Sequence, residues 1–236
     1  MKKILSIDGG FSEGFRQAGF KIEQGYDNWG PAIETFNHNF GLSSKVKNIL
    51  DFKNSIEEIE QLPNTDIILG SPPCVSFSSS NKSGKADKSL GVDLTETFLR
   101  IVAVKKHQPH STLKAWFMEN VVNSKKYLQP SYTFGDLNLK DWSNQKGLDP
   151  NTIAIVLHEN TANINSADYG SFQARKRLIS GEIISKGKLI VPKVTHQNDR
   201  NQKELKPYNT IGQIKRSFPS PFLQKTANLI KDVQYN

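Results

Sequence analysis

Short apolar segments alternate with amphipathic segments along the first 120 residues, and this alternation is the feature that most restricts the fold. Residues 4–7 predict a strand, Asp8-Gly9-Gly10 predicts a tight turn, and residues 11–18 carry apolar side chains at helical spacing. A strand followed by a helix and another strand favours parallel pairing with a crossover helix. We therefore expect an α/β fold with a mostly parallel sheet and helices on both faces.

The same alternation continues further along the chain. We expect strands at residues 21–26, 45–49, 66–70, 115–118, 152–157 and 178–184, and helices at 31–40, 55–62 and 95–106. Residues 75–92 are rich in Ser, Lys and Gly and predict a mobile loop, whereas residues 127–147 show no clear pattern. A helix-like pattern returns at residues 222–233.

The 236-residue chain contains one cysteine, Cys74, which cannot form a disulfide within the chain. We therefore expect a reducing, cytoplasmic compartment and no structural metal site. The apolar runs are shorter than the roughly 18 residues that span a bilayer, so we expect no membrane partner.

Positive charge is concentrated towards the C-terminus. The net charge is +8, and residues 186–236 contain 10 Lys and Arg against 3 Asp and Glu. Such a local basic excess favours contact with a polyanion such as nucleic acid. A solvated tail that aids solubility is the alternative.

Acidic residues and glycines lie where several predicted strands end. Asp8-Gly9-Gly10 follows the first strand, Asp27 follows the second, and Asp51 comes next along the chain. Ligands of α/β sheets bind at the carboxyl ends of the strands, and an acid there suits ribose hydroxyls. These residues suggest a nucleotide-like ligand, although Asp-Gly-Gly is often only a turn.

Five further residues have side chains that suit catalysis. Cys74 follows a buried strand at the start of the Ser/Lys-rich loop, a setting that can stabilise a thiolate, although single cysteines are often inert. Glu119 ends an apolar strand and is either a cleft acid or a surface carboxylate. Gln173, Arg175 and Arg177 alternate, so on a strand they share one face, whether that face binds a ligand or water.

These residues belong to a series of short motifs along the chain. The motifs are Gly10-Phe11-Ser12-x-Gly14-Phe15-x-x-Ala18-Gly19-Phe20, Pro72-Pro73-Cys74-x-x-Phe77-Ser78, Glu119-Asn120-Val121, Asn165-Ser166-Ala167-Asp168-Tyr169-Gly170 and Gln173-x-Arg175-x-Arg177. Their order resembles the motif order of the DNA cytosine-5 methyltransferases, over about residues 3–185. That family has a Rossmann-like, S-adenosylmethionine-dependent methyltransferase fold, so the resemblance implies a catalytic domain at residues 1–185 and a role in restriction-modification.

The resemblance implies a catalytic role for each of five residues. The Cys74 thiolate would add to C6 of a cytosine flipped out of double-stranded DNA, which makes C5 nucleophilic. Glu119, protonated or sharing a proton with N3, would offset charge on the ring, and Arg177 would hold O2. Arg175 and Gln173 would not contact the cytosine themselves but would hold the residues that do.

The resemblance also implies the residues that bind S-adenosylmethionine. Asp27 would bind the ribose hydroxyls and Asp51 the adenine amino group. Phe52 would be an apolar neighbour of adenine, and Pro73 would contribute a backbone contact.

The cofactor loop differs from the family pattern. The loop at Asp8-Gly9-Gly10 is about three residues shorter and lacks a Phe that packs on adenine, and Asn28 replaces an apolar residue after Asp27. We therefore expect these residues to bind S-adenosylmethionine weakly.

The segment at residues 186–236 resembles only the entrance to a target-recognition domain, through Pro192-x-x-Thr195-His196 and Lys206-Pro207-Tyr208. The resemblance therefore implies either one chain of a split methyltransferase, whose second polypeptide carries the recognition domain, or a catalytically impaired relative that binds DNA or the cofactor. Retention of Cys74, Glu119, Arg175 and Arg177 favours the enzyme.

Overall fold

The computed structural model describes residues 2–7, 11–73, 88–198, 204–210 and 212–213. Internal contacts group the chain into two units. The first contains residues 1–163 and 177–191, and the second contains residues 164–176 and 192–236. The predicted division into a catalytic domain at 1–185 and a basic segment at 186–236 stays a prediction.

A six-stranded sheet forms the centre of the first unit. The strand β1 pairs in parallel with β2 and β3, β3 pairs in parallel with β4, and β8 pairs antiparallel with β4. A separate antiparallel pair is formed by β5 and β6. The strands are β1 (Lys3–Ile7), β2 (Lys21–Tyr26), β3 (Ile67–Gly70), β4 (Ala115–Asn120), β5 (Ser131–Thr133), β6 (Ile153–Val156), β7 (Thr161–Asn165) and β8 (Lys176–Ile183), and the large sheet has the order β2-β1-β3-β4-β8-β7.

Helices connect β1 to β2, β2 to β3 and β3 to β4, as the alternation predicts. The α-helices are α1 (Ser12–Gln17), α2 (Gly30–Phe40), α3 (Ile56–Gln61), α4 (Lys88–His107) and α5 (Lys140–Gln145). Single 3-10 turns lie at Ile49–Lys53, Val122–Lys126, Ser166–Tyr169 and Ile184–Lys186.

Two hydrophobic clusters cover the two faces of the sheet. Leu5 and Ile68 point into a cluster that contains Phe98 of α4, whereas their strand neighbours Ile4 and Ile67 point into a cluster with Phe36 of α2. Successive strand residues face opposite sides, so a run of apolar residues is needed when both faces are buried. The expected mostly parallel sheet with helices on both faces is confirmed.

Helix α4 approaches β3 so closely that only glycine fits at position 70. A Cβ placed on Gly70 would lie 2.2 Å from Cε2 of Phe98. Phe98 is fully buried and belongs to the larger core cluster. Gly70 thus allows the helix to pack against the strand that leads to Pro72-Pro73-Cys74.

The prediction of a strand at residues 45–49 is wrong, because residues 45–48 form no regular secondary structure and residue 49 begins a 3-10 turn. The side chain of Asn48 accepts a hydrogen bond from the Leu50 amide at 3.0 Å, which caps the 3-10 turn Ile49–Lys53 and keeps the segment out of the sheet. The prediction of a loop at residues 75–92 is wrong for residues 88–92, because these residues belong to α4. Leu94 and Phe98 of that helix are buried, so packing extends the helix beyond its predicted start.

The second unit contains two short parallel strands, β9 (His196–Gln197) and β10 (Lys206–Pro207). Tyr208 donates a hydrogen bond from its hydroxyl to Asp168 Oδ1, and that contact raises the pKa of Tyr208. Asn209 Nδ2 donates to the Gly170 carbonyl at 2.6 Å. The segments that resemble the recognition-domain entrance therefore fold onto the loop at residues 165–170.

The predicted turn at residues 8–10 and the predicted helix at 222–233 lie outside the described residues, as does the 75–87 part of the loop. In the parts of the chain that the structure describes, no helix is both long enough and apolar enough to cross a membrane.

Candidate active site

Glu119 and Arg177 meet at the carboxyl edge of the sheet. Glu119 lies near the end of β4, and Arg177 lies at the beginning of β8. Because β8 runs antiparallel to β4, with Glu119 opposite Ile179, the start of one strand lies beside the end of the other. Arg177 Nε is 2.5 Å from Glu119 Oε1, and both side chains are 21% exposed.

Ser71 holds the other oxygen of the same carboxylate. Its hydroxyl donates to Glu119 Oε2 at 2.7 Å, and its amide donates to the Ile7 carbonyl at 3.2 Å. Ser71 was not among the site residues that the sequence predicts. The signal in the sequence is a hydroxyl directly after a buried strand and before Pro72-Pro73-Cys74.

Asn120 attaches the Pro-Pro segment to the end of β4. The Asn120 side chain is 1% exposed and donates from Nδ2 to the Pro72 carbonyl at 3.4 Å. Its Oδ1 accepts from the Val121 amide at 2.8 Å. The segment that leads to Cys74 is thus fixed relative to Glu119.

Gln173, Arg175 and Arg177 do not form one row on a strand, contrary to prediction. Only Arg177 lies in β8, and Gln173 and Arg175 lie in the preceding coil, in the second unit. Ser166 explains the coil, because its hydroxyl donates to the Gln173 carbonyl at 2.6 Å and accepts from the Arg175 amide at 3.2 Å. These local bonds take the place of a strand ladder, and both side chains are exposed.

A cavity of about 380 Å³ opens at the carboxyl ends of β1, β2 and β3. It contains three of the predicted cofactor residues, Asp27, Asn28 and Pro73. Asp27 follows β2, and its Oδ1 accepts a hydrogen bond from the Trp29 amide at 2.8 Å, which orients the carboxylate. The lining residues are Ile7, Tyr26, Asp27, Asn28, Lys47, Asn48, Ile49, Leu50, Pro72, Pro73, Leu90 and Leu94.

Asp51 and Phe52 do not line this cavity. Phe52 is 2% exposed, and its ring packs edge-on against Tyr26 with 5.8 Å between the centroids. Asp51 Oδ2 lies 3.3 Å from Lys47 Nζ. Their predicted contacts with adenine stay predictions.

Lys47 is a cavity residue that the sequence did not single out. Its ammonium lies 2.6 Å from Glu58 Oε2 and 5.2 Å from the centroid of Phe52. The hydrogen bond to Glu58 raises the pKa of Lys47 above its ordinary value. The wall of the cavity therefore contains a lysine whose ammonium is held in place by two carboxylates.

The cavity fits S-adenosylmethionine in size and in chemistry. Small-molecule sites commonly have volumes of about 300–1,000 Å³ and combine apolar walls with a few polar groups. The Asp27 carboxylate suits vicinal hydroxyls, and Ile49, Leu50 and Leu94 offer an apolar wall for a purine. The other predicted cofactor residues, Asp8, Gly9 and Gly10, lie outside the described residues, as does the predicted nucleophile Cys74.

The sequence model for the family described as C-5 cytosine-specific DNA methylase matches residues 4–135, more than half of the chain. This chain belongs to that family. The matched span includes Cys74, Glu119 and the cavity residues, whereas Gln173, Arg175 and Arg177 follow it.

Curated relatives agree with this assignment. The chain is 43% identical over 127 residues to the type II methyltransferase M.HindV of Haemophilus influenzae. The aligned region covers 52% of this chain and 38% of that protein. It is 32% identical over 233 residues to the type II methyltransferase M.NgoFVII of Neisseria gonorrhoeae, covering 92% of this chain and 53% of the relative. The chain therefore spans about half or less of the length of these two relatives.

A solved structure shares the fold. It is the crystal structure of a predicted DNA modification methyltransferase encoded within a prophage (E. coli), with a TM-score of 0.57 and 20% sequence identity. The superposition covers 93% of this chain and 56% of the other. The methyltransferase fold that the motifs imply is confirmed.

Proposed function

We propose that this chain is a DNA cytosine-5 methyltransferase that acts on double-stranded DNA and uses S-adenosylmethionine. The observation that carries the proposal is the carboxylate of Glu119, held by Arg177 and Ser71 at the carboxyl edge of the sheet. Membership of the C-5 cytosine-specific DNA methylase family supports the proposal. In the sequence, Pro72-Pro73-Cys74 follows β3 and Ser71, and β3 ends at the same edge of the sheet.

The cofactor belongs in the cavity beside Asp27. S-adenosylmethionine supplies an electrophilic methyl group when bound. Asp27 would accept hydrogen bonds from the ribose hydroxyls, and the apolar wall would contact the purine. The cavity and Ser71 both lie at the end of β3, so a cytosine near Glu119 would be close to the cofactor.

The residues of the chain would activate the cytosine. The Cys74 thiolate adds to C6, which breaks the C5–C6 double bond and raises the electron density at C5. Glu119 holds a proton at N3, and Arg177 donates to O2, so both offset the charge that develops on the ring. The cytosine has to leave the helix to reach these groups.

A covalent trap tests the proposal. With the complete assembly, which is this chain together with the polypeptide that carries the recognition domain, S-adenosylmethionine and DNA that contains 5-fluorocytosine, we expect an adduct that survives denaturation. The reason is that fluorine takes the place of the C5 proton whose removal releases the enzyme. Cys74→Ala should form no adduct, and unmodified DNA is the control. An adduct formed by an assembly that carries Cys74→Ala would show that the nucleophile is another residue. If the unaltered complete assembly formed no adduct, the catalytically impaired relative would be favoured.

A second polypeptide that carries the recognition domain is part of the same proposal. The lone chain should then bind duplex DNA with little sequence preference through residues 186–236, and should methylate it only when the partner is added. Transfer of labelled methyl groups to mixed-sequence DNA measures this. Site-specific methylation by the lone chain would overturn the two-polypeptide proposal. A cytoplasmic location remains our prediction from the single cysteine.

A further inference from the structure

We propose that a basic turn, residues Val122–Lys126 together with Lys88 at the start of α4, binds the phosphate backbone of the DNA. This inference rests on the proposed function and adds a binding surface to it. The surface lies in the first unit, outside the basic C-terminal segment.

The position of the turn is fixed by hydrogen bonds. Ser124 is fully buried, and both its amide and its hydroxyl donate to the Val121 carbonyl, at 3.0 and 2.8 Å. The Tyr127 amide donates to the Ser124 carbonyl at 2.9 Å. Lys125 and Lys126 are therefore presented from a rigid turn rather than from a loose loop.

The turn lies at the edge of the sheet where catalysis is proposed. It begins two residues after Asn120, the last residue of β4, and Glu119 precedes that residue. Lys88 Nζ lies 5.1 Å from the centroid of the Tyr127 ring, which places the start of α4 beside the turn. Two residues further along α4, Leu90 lines the proposed cofactor cavity.

Among the residues that the structure describes, the lysines of the turn have no neighbouring acid. Lysines elsewhere in the first unit, such as Lys53, Lys106 and Lys146, each pair with a carboxylate. In the described parts of the chain, no carboxylate lies within 4.0 Å of Lys125 or Lys126 Nζ, and both side chains are exposed. The sequence contains no acid between Glu119 and Asp136.

Lys125 also borders a cavity of about 230 Å³ whose polar lining consists of donors and hydroxyls. Gln129, His158 and Thr161 contribute to that lining, and none of the lining residues that the structure describes is acidic. Exposed lysines without an acidic partner among the described residues, next to neutral hydrogen-bond donors, suit the oxygens of a solvated phosphate. They suit a carboxylate that is buried in a protein interface less well. Because the charges are spread along a turn and a helix start, a continuous phosphate backbone fits them better than a single small anion.

The salt dependence of DNA binding tests this surface. Fluorescence anisotropy with a labelled mixed-sequence duplex would compare the full chain with Lys125→Ala/Lys126→Ala. The control is Lys114→Ala/Lys140→Ala, which removes the same charge. Lys114 directly precedes β4 at the opposite edge of the sheet, and its side chain is 65% exposed.

Loss of two phosphate contacts should reduce the slope of log K against log salt by about 1.8, because each contact contributes about 0.9. We expect the turn variant to bind DNA at least tenfold more weakly near physiological salt, and the control to keep the slope of the unaltered chain. Lys125→Glu/Lys126→Glu should weaken binding further. Circular dichroism would show that all variants are folded.

An unchanged slope in the turn variant, or an equal loss in the control, would overturn the inference and leave the proposed function intact, provided that the 5-fluorocytosine adduct still forms. If the unaltered chain binds no duplex DNA at low salt and the complete assembly forms no adduct, both fail.

Discussion

The hydroxyl of Ser71 donates a hydrogen bond of 2.7 Å to Oε2 of Glu119, across 48 residues of sequence. Arg177 Nε is 2.5 Å from Oε1 of the same carboxylate. Two donors on two different segments therefore fix the orientation of Glu119. A carboxyl group that has to share a proton with N3 of a cytosine gains from such positioning, because misorientation lowers the rate.

Ser71→Ala should lower kcat for methyl transfer about tenfold and change KM for DNA little. A hydrogen bond to a charged group contributes about 1.5–3 kcal/mol, and 1.4 kcal/mol corresponds to a factor of ten. Steady-state transfer of labelled methyl groups by the active assembly measures both constants. Ser71→Thr keeps the hydroxyl and should keep most of the activity; a threonine variant as slow as the alanine variant would argue against a positioning role.

Asp27→Asn should weaken S-adenosylmethionine binding by about tenfold, because an amide accepts hydrogen bonds from ribose hydroxyls less strongly than a carboxylate. Isothermal titration calorimetry measures the affinity. The unaltered chain should already bind in the high micromolar range, because the shortened loop lacks an aromatic partner for adenine. The matched control is Asp141→Asn in α5, which removes the same charge away from the cavity. Equal affinities for Asp27→Asn and the control would place the ribose elsewhere.

Gly70→Ala should lower the free energy of unfolding by about 2 kcal/mol, because its new methyl group would collide with Phe98 in the core. Gly14→Ala is the matched control. Gly14 lies in α1, and among the described residues no atom would lie within 4 Å of a Cβ placed on it. Alanine there should raise the free energy of unfolding by about 0.5–1 kcal/mol. Denaturation in urea measures both changes, and a neutral Gly70→Ala would mean that α4 can shift away from β3.

The folded chain should lose stability as the pH falls below about 6.5, in part through His107. Burial and the nearby charge of Lys106 lower the pKa of His107 below its ordinary value of 6.5. The unfolded chain therefore binds more protons than the folded chain between the two pKa values, and the free energy of unfolding decreases as the pH falls through that range. His107→Gln should flatten this part of the profile, as measured by urea denaturation between pH 5 and pH 8. An unchanged profile would assign the pH dependence to other groups.

The alternation of apolar and amphipathic segments was sufficient to predict the parallel sheet. Ile67 and Ile68 are neighbours that face opposite sides of the sheet, and both are buried. Two successive strand residues have to be apolar only when both faces of the sheet are covered. The prediction failed at residues 45–49, where the capping side chain of Asn48 outweighed an apolar pattern. Local hydrogen bonds of this kind are weak signals in a sequence because Asn also occurs in many loops.

The sequence by itself determined the fold class, the family and the identity of the residues at the strand ends, because apolar periodicity and motif order are properties of the linear chain. Only the tertiary structure decided which of those residues meet. The antiparallel pairing of β8 with β4 places Arg177 beside Glu119, and the parallel pairing of β3 with β4 places Ser71 at the same carboxylate. Gln173 and Arg175 follow the same sequence alternation as Arg177 but lie in coil, because the Ser166 side chain binds their backbone. Strand pairing and side-chain capping join residues that are distant in sequence, so spacing along the chain does not specify them.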